Sequence, residues 1–324
     1  MKVLVTGAPG CVGRAVVRRL LADGHTVRGV WRGTSPADAG LPVDGVVEWV
    51  RADLTRDDPL PLVVDCDAVV HLAALVHHPE VRDPAAYRLA NATVTAKLHD
   101  TAIAAGIRPG RFVFSSTVAV YGRDFDLHAD ESTPVAPRTP YAASKLEGEQ
   151  AVVERRGIVL RLPITYGPGD RGNMAQMIRA IASGRFALPG PCNQPRSFLA
   201  ADNAAHAVAL AIERAPGGET FLLTDDDDRS TRVLAGTIAG AFAELGRPVR
   251  LMEAPYGIVW PAAALGSAVT ALGLRVPVTL SALRKLTTRL TFACAKARAE
   301  LAYAPVRGFD DAVREAVRSA GAGA

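Results

Sequence analysis

Tyr141 and Lys145 stand four residues apart in the sequence, a spacing that puts both side chains on one face of a helix. A phenol can give or take the proton of a carbonyl or alcohol oxygen, but its free pKa near ~10 is too high for base work at neutral pH. An ammonium alongside stabilises the phenolate and lowers that value, so the pair is expected to act as one proton-transfer device. Thr117 closes the run Ser115-Ser116-Thr117, one strand-and-helix unit earlier, where its hydroxyl is placed to hold the reacting oxygen. Isolated Tyr-x-x-x-Lys pairs are common by chance. The weight of this one depends on what surrounds it.

A second set of residues suits phosphate. The segment Thr6-Gly7-Ala8-Pro9-Gly10-Cys11-Val12-Gly13 follows a strand-like run at the start of the chain and runs into a helix. Gly7 permits a tight turn, Gly10 lets backbone amides approach a pyrophosphate, and Gly13 allows close helix–strand packing. The free N–H groups of Cys11, Val12 and their neighbours, at the positive end of the helix dipole, would face the phosphates. A dinucleotide is the ligand such a cradle takes. At the end of the second strand stand Trp31 and Arg32, with no carboxylate before Asp38. An Arg there suits a 2′-phosphate, which favours NADP(H) over NAD(H), with NAD(H) still open. Asp53 and Leu54 follow the third strand and are placed to meet the adenine ring.

The elements that must position these residues read as alternating strands and helices. Strands are expected at 2–6, 26–31, 46–51, 68–72, 111–115 and 158–162, and helices at 11–22, 83–105 and 140–155, with Gly24 and Gly106 as stops. Short apolar strands separated by helices predict a parallel sheet with crossovers. The fold class is α/β, a Rossmann doubly wound sheet with a smaller C-terminal lobe. The dinucleotide-binding domain is expected over 1–165, with 198–224 returning to it, and the substrate-binding lobe over 166–197 and 225–324. Asp225 to Asp228 read as a solvated acidic loop. Residues 256–274 carry no charge but are rich in Ala and Gly and contain Pro261. They read as a buried or substrate-facing helix rather than a membrane span.

The bulk composition restricts the partners. The 324 residues are 49% hydrophobic and 22% charged, as expected of a globular enzyme with a real core. A net charge of +4 without basic runs gives no footprint for nucleic acid. Cys11, Cys66, Cys192 and Cys294 show neither metal-ligand spacing nor a disulfide framework, so reduced thiols and a cytoplasmic location are expected, with no metal. The strand-like start at Lys2 leaves no room for a signal peptide.

The chain resembles the extended short-chain dehydrogenase/reductases, the NAD-dependent epimerase/dehydratase family. The pieces that carry the resemblance are Thr6-Gly-x-x-Gly-x-x-Gly13, Asp53-Leu54, His71-Leu-Ala-Ala74, Ser115-Ser-Thr-x-x-x-Tyr-Gly122, Tyr141-x-x-x-Lys145, Tyr166-Gly-Pro-Gly169 and the stretch from Arg196 to Asn203. They follow the family's order across nearly the whole chain. The resemblance implies that Thr117, Tyr141 and Lys145 are catalytic, with Asn91 as supporting residue. It implies that Leu72, Ala73 and Ala74 line the coenzyme site, and that Lys145 also holds the nicotinamide ribose. Arg196 would meet a nucleotide diphosphate and Asn173 would lie near it. Relatives commonly form dimers through helices matching 83–105 and 140–155, so a homodimer is expected.

The segment Tyr166-Gly-Pro-Gly-Asp-Arg-Gly-Asn173 is most similar to that of nucleotide-sugar 4-keto reductases and 4-epimerases. The first expectation is therefore NADPH-dependent reduction of a 4-keto nucleotide sugar. A 4-epimerase that retains NAD is the alternative, although Ile164 stands where many sugar epimerases carry Asn. A reductase of a hydrophobic ketone, similar to sterol and flavonoid reductases, is another, and there Arg196 would be incidental. A non-catalytic nucleotide sensor on the same fold would usually lack the Tyr and Lys. His77 and His78 fall on the substrate side of the sheet and are candidates for contact.

Overall fold

Val3, Leu4 and Val5, Ala68 to Val70, and Phe112 to Phe114 are all 0% exposed. Strands buried on both faces belong in the middle of a parallel sheet covered by helices, and the computed structural model places them there. It describes residues 1–42, 45–76, 81, 83–122, 126–271, 274 and 279–321. The first five long strands are β1 (Lys2–Thr6), β2 (Thr26–Trp31), β3 (Val47–Arg51), β4 (Ala68–His71) and β5 (Phe112–Thr117). With Ile158–Leu162 and Thr220–Leu222 they form a seven-stranded sheet. Its order is Thr220–Leu222, Ile158–Leu162, β5, β4, β1, β2, β3, and every pairing is parallel.

The chain winds outward from β1 to β3, then crosses back to β4 and winds the other way. The strand order therefore reverses between β1 and β4, and a crevice opens beyond their carboxyl ends. Side chains alternate along β1 to serve two cores. Val3 and Val5 pack with Val16 and Leu20 of helix α1 (Cys11–Ala22) and with Val208 and Ile212 of helix Ala201–Arg214. Leu4 packs on the other face with Leu98, Phe112, Phe114 and Val152, from the helices Val94–Ala104 and Pro140–Glu154 and from β5.

The helix expected over 83–105 is present as three continuous pieces, Pro84–Arg88, a π turn at Leu89–Thr93 and Val94–Ala104. A third core, including Met174, Ile178, Leu234, Ile238, Phe309 and Val313, lies in the later part of the chain. A small sheet there joins Arg229–Ser230, Pro195–Arg196, Leu290–Phe292 and Leu127–Ala129.

Two expectations are corrected. The acidic run is not simply a solvated loop. Asp225 is 5% exposed and accepts hydrogen bonds from the Tyr166 hydroxyl, the Ala200 amide and the Asn203 side chain. Those donors replace water, and burial still pushes its carboxyl up to about 6. Nor is the helix Tyr256–Ala271 buried. Ile258 is 69% and Leu265 68% exposed, because only one narrow face, including Ala263 and Gly266, meets protein. No helix among the described residues is long and apolar enough to cross a membrane.

Candidate active site

The turn after β1 is built for close approach. Gly7 has φ +68°, and a Cβ there would come 2.8 Å from the Ala73 amide nitrogen. At Gly13 a Cβ would lie 2.3 Å from the Gly7 carbonyl oxygen. Both contacts are with backbone, which cannot yield, so only glycine fits. The Gly10 amide donates to the Gly7 carbonyl at 2.9 Å and the Arg14 amide to the Gly10 carbonyl at 2.9 Å, closing the turn into α1. Across the crevice the Ala73 amide donates to Thr6 Oγ1 at 3.2 Å. Thr6 Oγ1 in turn lies 2.7 Å from His71 Nδ1, tying the ends of β1 and β4 together.

A cleft of about 620 Å³ opens at this point. Of the residues assigned to a coenzyme from sequence, Gly7, Gly10, Cys11, Arg32, Asp53, Leu54, Leu72, Ala73 and Ala74 line it. Gly13 is buried against Gly7 and Ala8 behind the wall, and neither it nor Val12 faces the cleft. The Arg32 side chain is 65% exposed at the rim and lies 3.6 Å from Asp53 Oδ2. Thr55 donates to the other Asp53 oxygen from both its hydroxyl and its amide, and these bonds hold the carboxyl below its ordinary value. Trp31, Gly33, Thr34, Gly169 and Arg171 complete this end, where Arg171 donates to Thr34 Oγ1 at 3.2 Å.

Thr117 ends β5, and Tyr141 and Lys145 lie on helix Pro140–Glu154, which Thr139 caps through a hydrogen bond from Ala142 N. Packing of this helix against β5 brings the Thr117 and Tyr141 hydroxyls into hydrogen bond. The sequence expectation was that Lys145 lowers the phenol's pKa. In the structure desolvation dominates and pushes Tyr141 up to about 12, with Thr117 opposing. Lys145 is 2% exposed, and its Nζ sits 4.1 Å over the Phe114 ring. Burial brings its ammonium down to about 7, with Glu149 opposing. His71, fully enclosed and stacked on Phe114 at 5.7 Å, is pushed down to about 3 by burial and then by Lys145. It is neutral and bridges Thr6 to Thr95.

Asn91 lies in the π turn, 0% exposed. Its Oδ1 accepts from the Leu75 amide at 2.8 Å, and its Nδ2 donates to the Leu75 carbonyl and to Ser144 Oγ, each at 3.0 Å. Ser144 Oγ donates to the Tyr141 carbonyl at 2.8 Å. One amide thus fixes both the loop after β4 and the turn that carries Tyr141, and the π turn aims it there.

Behind Lys145 lies a network that sequence reading missed. Glu149 accepts from Arg161 through both oxygens, the shortest contact being 2.7 Å, with side chains 3% and 9% exposed. It also accepts from the Ser116 hydroxyl. Arg161 Nη1 donates to the Tyr121 hydroxyl at 3.0 Å. The available signal was the i, i+4 spacing of Lys145 and Glu149.

Asn173 and Arg196, assigned to substrate from sequence, are not among the residues that line this cleft. Asn173 is exposed at the start of helix Asn173–Ala182. Arg196 is 6% exposed and donates to the carbonyls of Lys285 and Thr288, at the C-terminal end of helix Leu280–Thr287. His77 and His78 lie outside the described residues. Among the described residues no cluster of His, Cys, Asp or Glu could hold a metal ion.

The model of the NAD dependent epimerase/dehydratase family matches residues 3–223. The UDP-glucose 4-epimerase of Mycolicibacterium smegmatis is 32% identical over 266 residues, 76% of this chain and 85% of that protein. The 4-hydroxy-2-methyl-3-oxo-4-farnesyl-3,4-dihydroquinoline-1-oxide ketoreductase of Stigmatella aurantiaca is 31% identical over an alignment of 328 residues, 94% of this chain and 92% of that protein. In fold, the chain is similar to the crystal structure of UDP-glucuronic acid 4-epimerase from Bacillus cereus in complex with NAD. The TM-score is 0.78 at 20% identity, covering 99% of both chains.

Proposed function

This chain belongs to the NAD-dependent epimerase/dehydratase family, and on that premise we propose that it works as a ketone reductase. The observation that carries this reading is the placement of Tyr141, whose phenol is desolvated on helix Pro140–Glu154 and hydrogen-bonded to Thr117 at the end of β5. A phenol that keeps its proton at neutral pH is a donor, ready to protonate a carbonyl oxygen as it gains negative charge. Oxidation of an alcohol, the first half of an epimerase cycle, would need the phenolate instead. Thr117 would hold the same oxygen. Asn91 and Glu149 keep these groups in position.

The cleft fits a nicotinamide dinucleotide, because Gly7, Gly10 and Cys11 line it where helix α1 begins, so that free backbone N–H groups at a helix N-terminus can face a pyrophosphate. When bound, that coenzyme supplies the hydride. Gly7, Gly10 and Cys11 would hold its phosphates, Asp53 and Leu54 its adenine, and Arg32 a 2′-phosphate, which supports NADP(H).

The substrate proposal moves with Arg196. A nucleotide sugar needs a cation for its diphosphate, and this guanidinium is buried against helix C-terminal carbonyls, a position where a cation is electrostatically favoured without any ligand. Ile164 adds no polar group. An apolar ketone is therefore our first reading, supported by the relative whose alignment covers 94% of the chain and whose name specifies a farnesylated ketone. A 4-keto nucleotide sugar is the second, favoured by the relative named UDP-glucose 4-epimerase.

The test is NADPH consumption by the purified protein with a long-chain β-keto ester and, separately, with a dTDP-4-keto sugar. Turnover of the ester alone supports the first reading and turnover of the sugar alone the second. Tyr141→Phe should lower the rate by roughly 10² to 10⁴; an unchanged rate would refute the assignment of Tyr141. Turnover without added coenzyme would instead identify an epimerase.

A further inference from the structure

Residues 254–274 contain no charged side chain, yet most of the helix Tyr256–Ala271 within them faces solvent. Ile258, Trp260 and Leu265 are 69%, 50% and 68% exposed, and Tyr256 is 43% exposed. A helix that is apolar all round normally lies inside a protein or against lipid. Its Ser and Thr hydroxyls are bonded within the helix. Ser267 donates to the Ala263 carbonyl at 2.9 Å and Thr270 to the Gly266 carbonyl at 2.8 Å, so neither needs water. Ser267 also accepts from the Leu280 amide at 2.9 Å, fastening the helix to the next one, Leu280–Thr287.

The sequence flanking this helix is basic, and Arg284 and Lys285 belong to helix Leu280–Thr287, which packs against it. Between residues 245 and 290 the charged residues are Arg247, Arg250, Arg275, Arg284, Lys285 and Arg289 against one acid, Glu253. Arg247, Arg250, Arg284, Lys285 and Arg289 are exposed. Glu253 is paired with Arg232 at 2.5 Å. An apolar surface among cations fits one kind of partner best. A two-fold contact between copies would face these cations with their own counterparts. An anionic bilayer offers negative headgroups to the cations and acyl chains to Ile258, Trp260 and Leu265.

We propose that helix Tyr256–Ala271 docks this protein on the surface of an anionic membrane. The helix lies on the bilayer rather than across it, because its 16 residues span about 24 Å at ~1.5 Å per residue, short of the ~30 Å hydrocarbon core. This departs from the sequence expectation of no membrane partner. It does not depend on the identity of the substrate, and its test uses none.

The experiment is sedimentation of the full-length protein with phosphatidylcholine vesicles that do or do not contain phosphatidylglycerol. Binding is expected to the anionic vesicles, weakening as salt is added, with a blue shift of tryptophan emission that Trp260→Phe removes. The double variant Ile258→Glu/Leu265→Glu should bind at least about ten-fold more weakly, while keeping NADPH binding and the mass measured by light scattering. Failure to pellet with anionic vesicles at low salt would overturn the proposal, as would equal pelleting of the double variant. A lower mass for that variant would also overturn it, since the face would then join two copies.

Discussion

Lys145→Met should stabilise the coenzyme-free protein while disabling it. Burial lowers the ammonium from 10.5 to about 7, and at about 1.4 kcal/mol per unit this corresponds to roughly 4 to 5 kcal/mol of destabilisation when the group is forced to carry its charge. Met has similar length and adapts to irregular space, so little cavity results. What is lost is the contact over Phe114 at 4.1 Å, worth about 1 to 2 kcal/mol for a desolvated cation. The net gain is about 2 to 4 kcal/mol, or a Tm rise of roughly 3 to 6 °C for a chain of this size. Its pH dependence follows from the lowered pKa. Below about pH 7 folded and unfolded chains both hold the proton, and the destabilisation is complete. Between about 7 and 10.5 the unfolded chain binds more protons, so wild-type stability rises with pH and the destabilisation is gone above that range. Thermal unfolding of both proteins from about pH 6 to pH 9, without coenzyme, reads this directly. The gap should be widest at the acid end and shrink by up to ~1.4 kcal/mol per unit above pH 7. A variant less stable than wild type at pH 6, or a gap independent of pH, would refute the reasoning. Activity should fall by about 10² to 10⁴.

Glu149→Gln should have the opposite effect on stability. It leaves Arg161 charged and enclosed, at a cost of about 3 to 5 kcal/mol, and Glu149→Met/Arg161→Met should recover much of it; denaturant melts showing the single variant within ~1 kcal/mol of wild type would contradict this. The same variant removes the group that opposes Lys145's lowered pKa, so a limb of the pH–rate profile due to Lys145 should move to lower pH. Gly7→Ala places a Cβ 2.8 Å from the Ala73 nitrogen at φ +68°, storing about 1 to 3 kcal/mol of strain, and calorimetry should show coenzyme affinity reduced at least about ten-fold. Arg32→Ala should weaken NADPH binding far more than NADH binding, since a lost charge-assisted pair is worth about 1.5 to 3 kcal/mol. Equal losses would place Arg32 outside the 2′-phosphate site.

Local patterns carried the sequence reading furthest. Glycine spacing at 7, 10 and 13, the apolar runs of β1 and β4, and the i, i+4 step from Tyr141 to Lys145 are short-range facts that backbone geometry turns directly into a turn, a central strand and a shared helix face. They were enough to give the α/β fold and family, and to name Gly7, Gly10, Cys11, Arg32, Asp53 and Leu54 among the residues lining the cleft. Asn91 was reached only through family resemblance, because the Leu75 and Ser144 groups it joins are 16 and 53 residues away.

The residues that departed from expectation did so because their surroundings are assembled from distant segments. Asp225 looked solvated until Tyr166, Ala200 and Asn203 enclosed it. Arg196 read as a cation open to a diphosphate, and only packing gave it the carbonyls at the end of helix Leu280–Thr287. The helix Tyr256–Ala271 carries the composition of a buried segment, and only the packing left it exposed. Sequence alone determined which groups can do chemistry here, since residue type fixes a proton donor and spacing fixes a shared face. Tertiary structure decided their protonation, because desolvation and neighbouring charge exist only after packing. That is why Tyr141 was expected to be a phenol lowered by Lys145 and is instead one raised by burial.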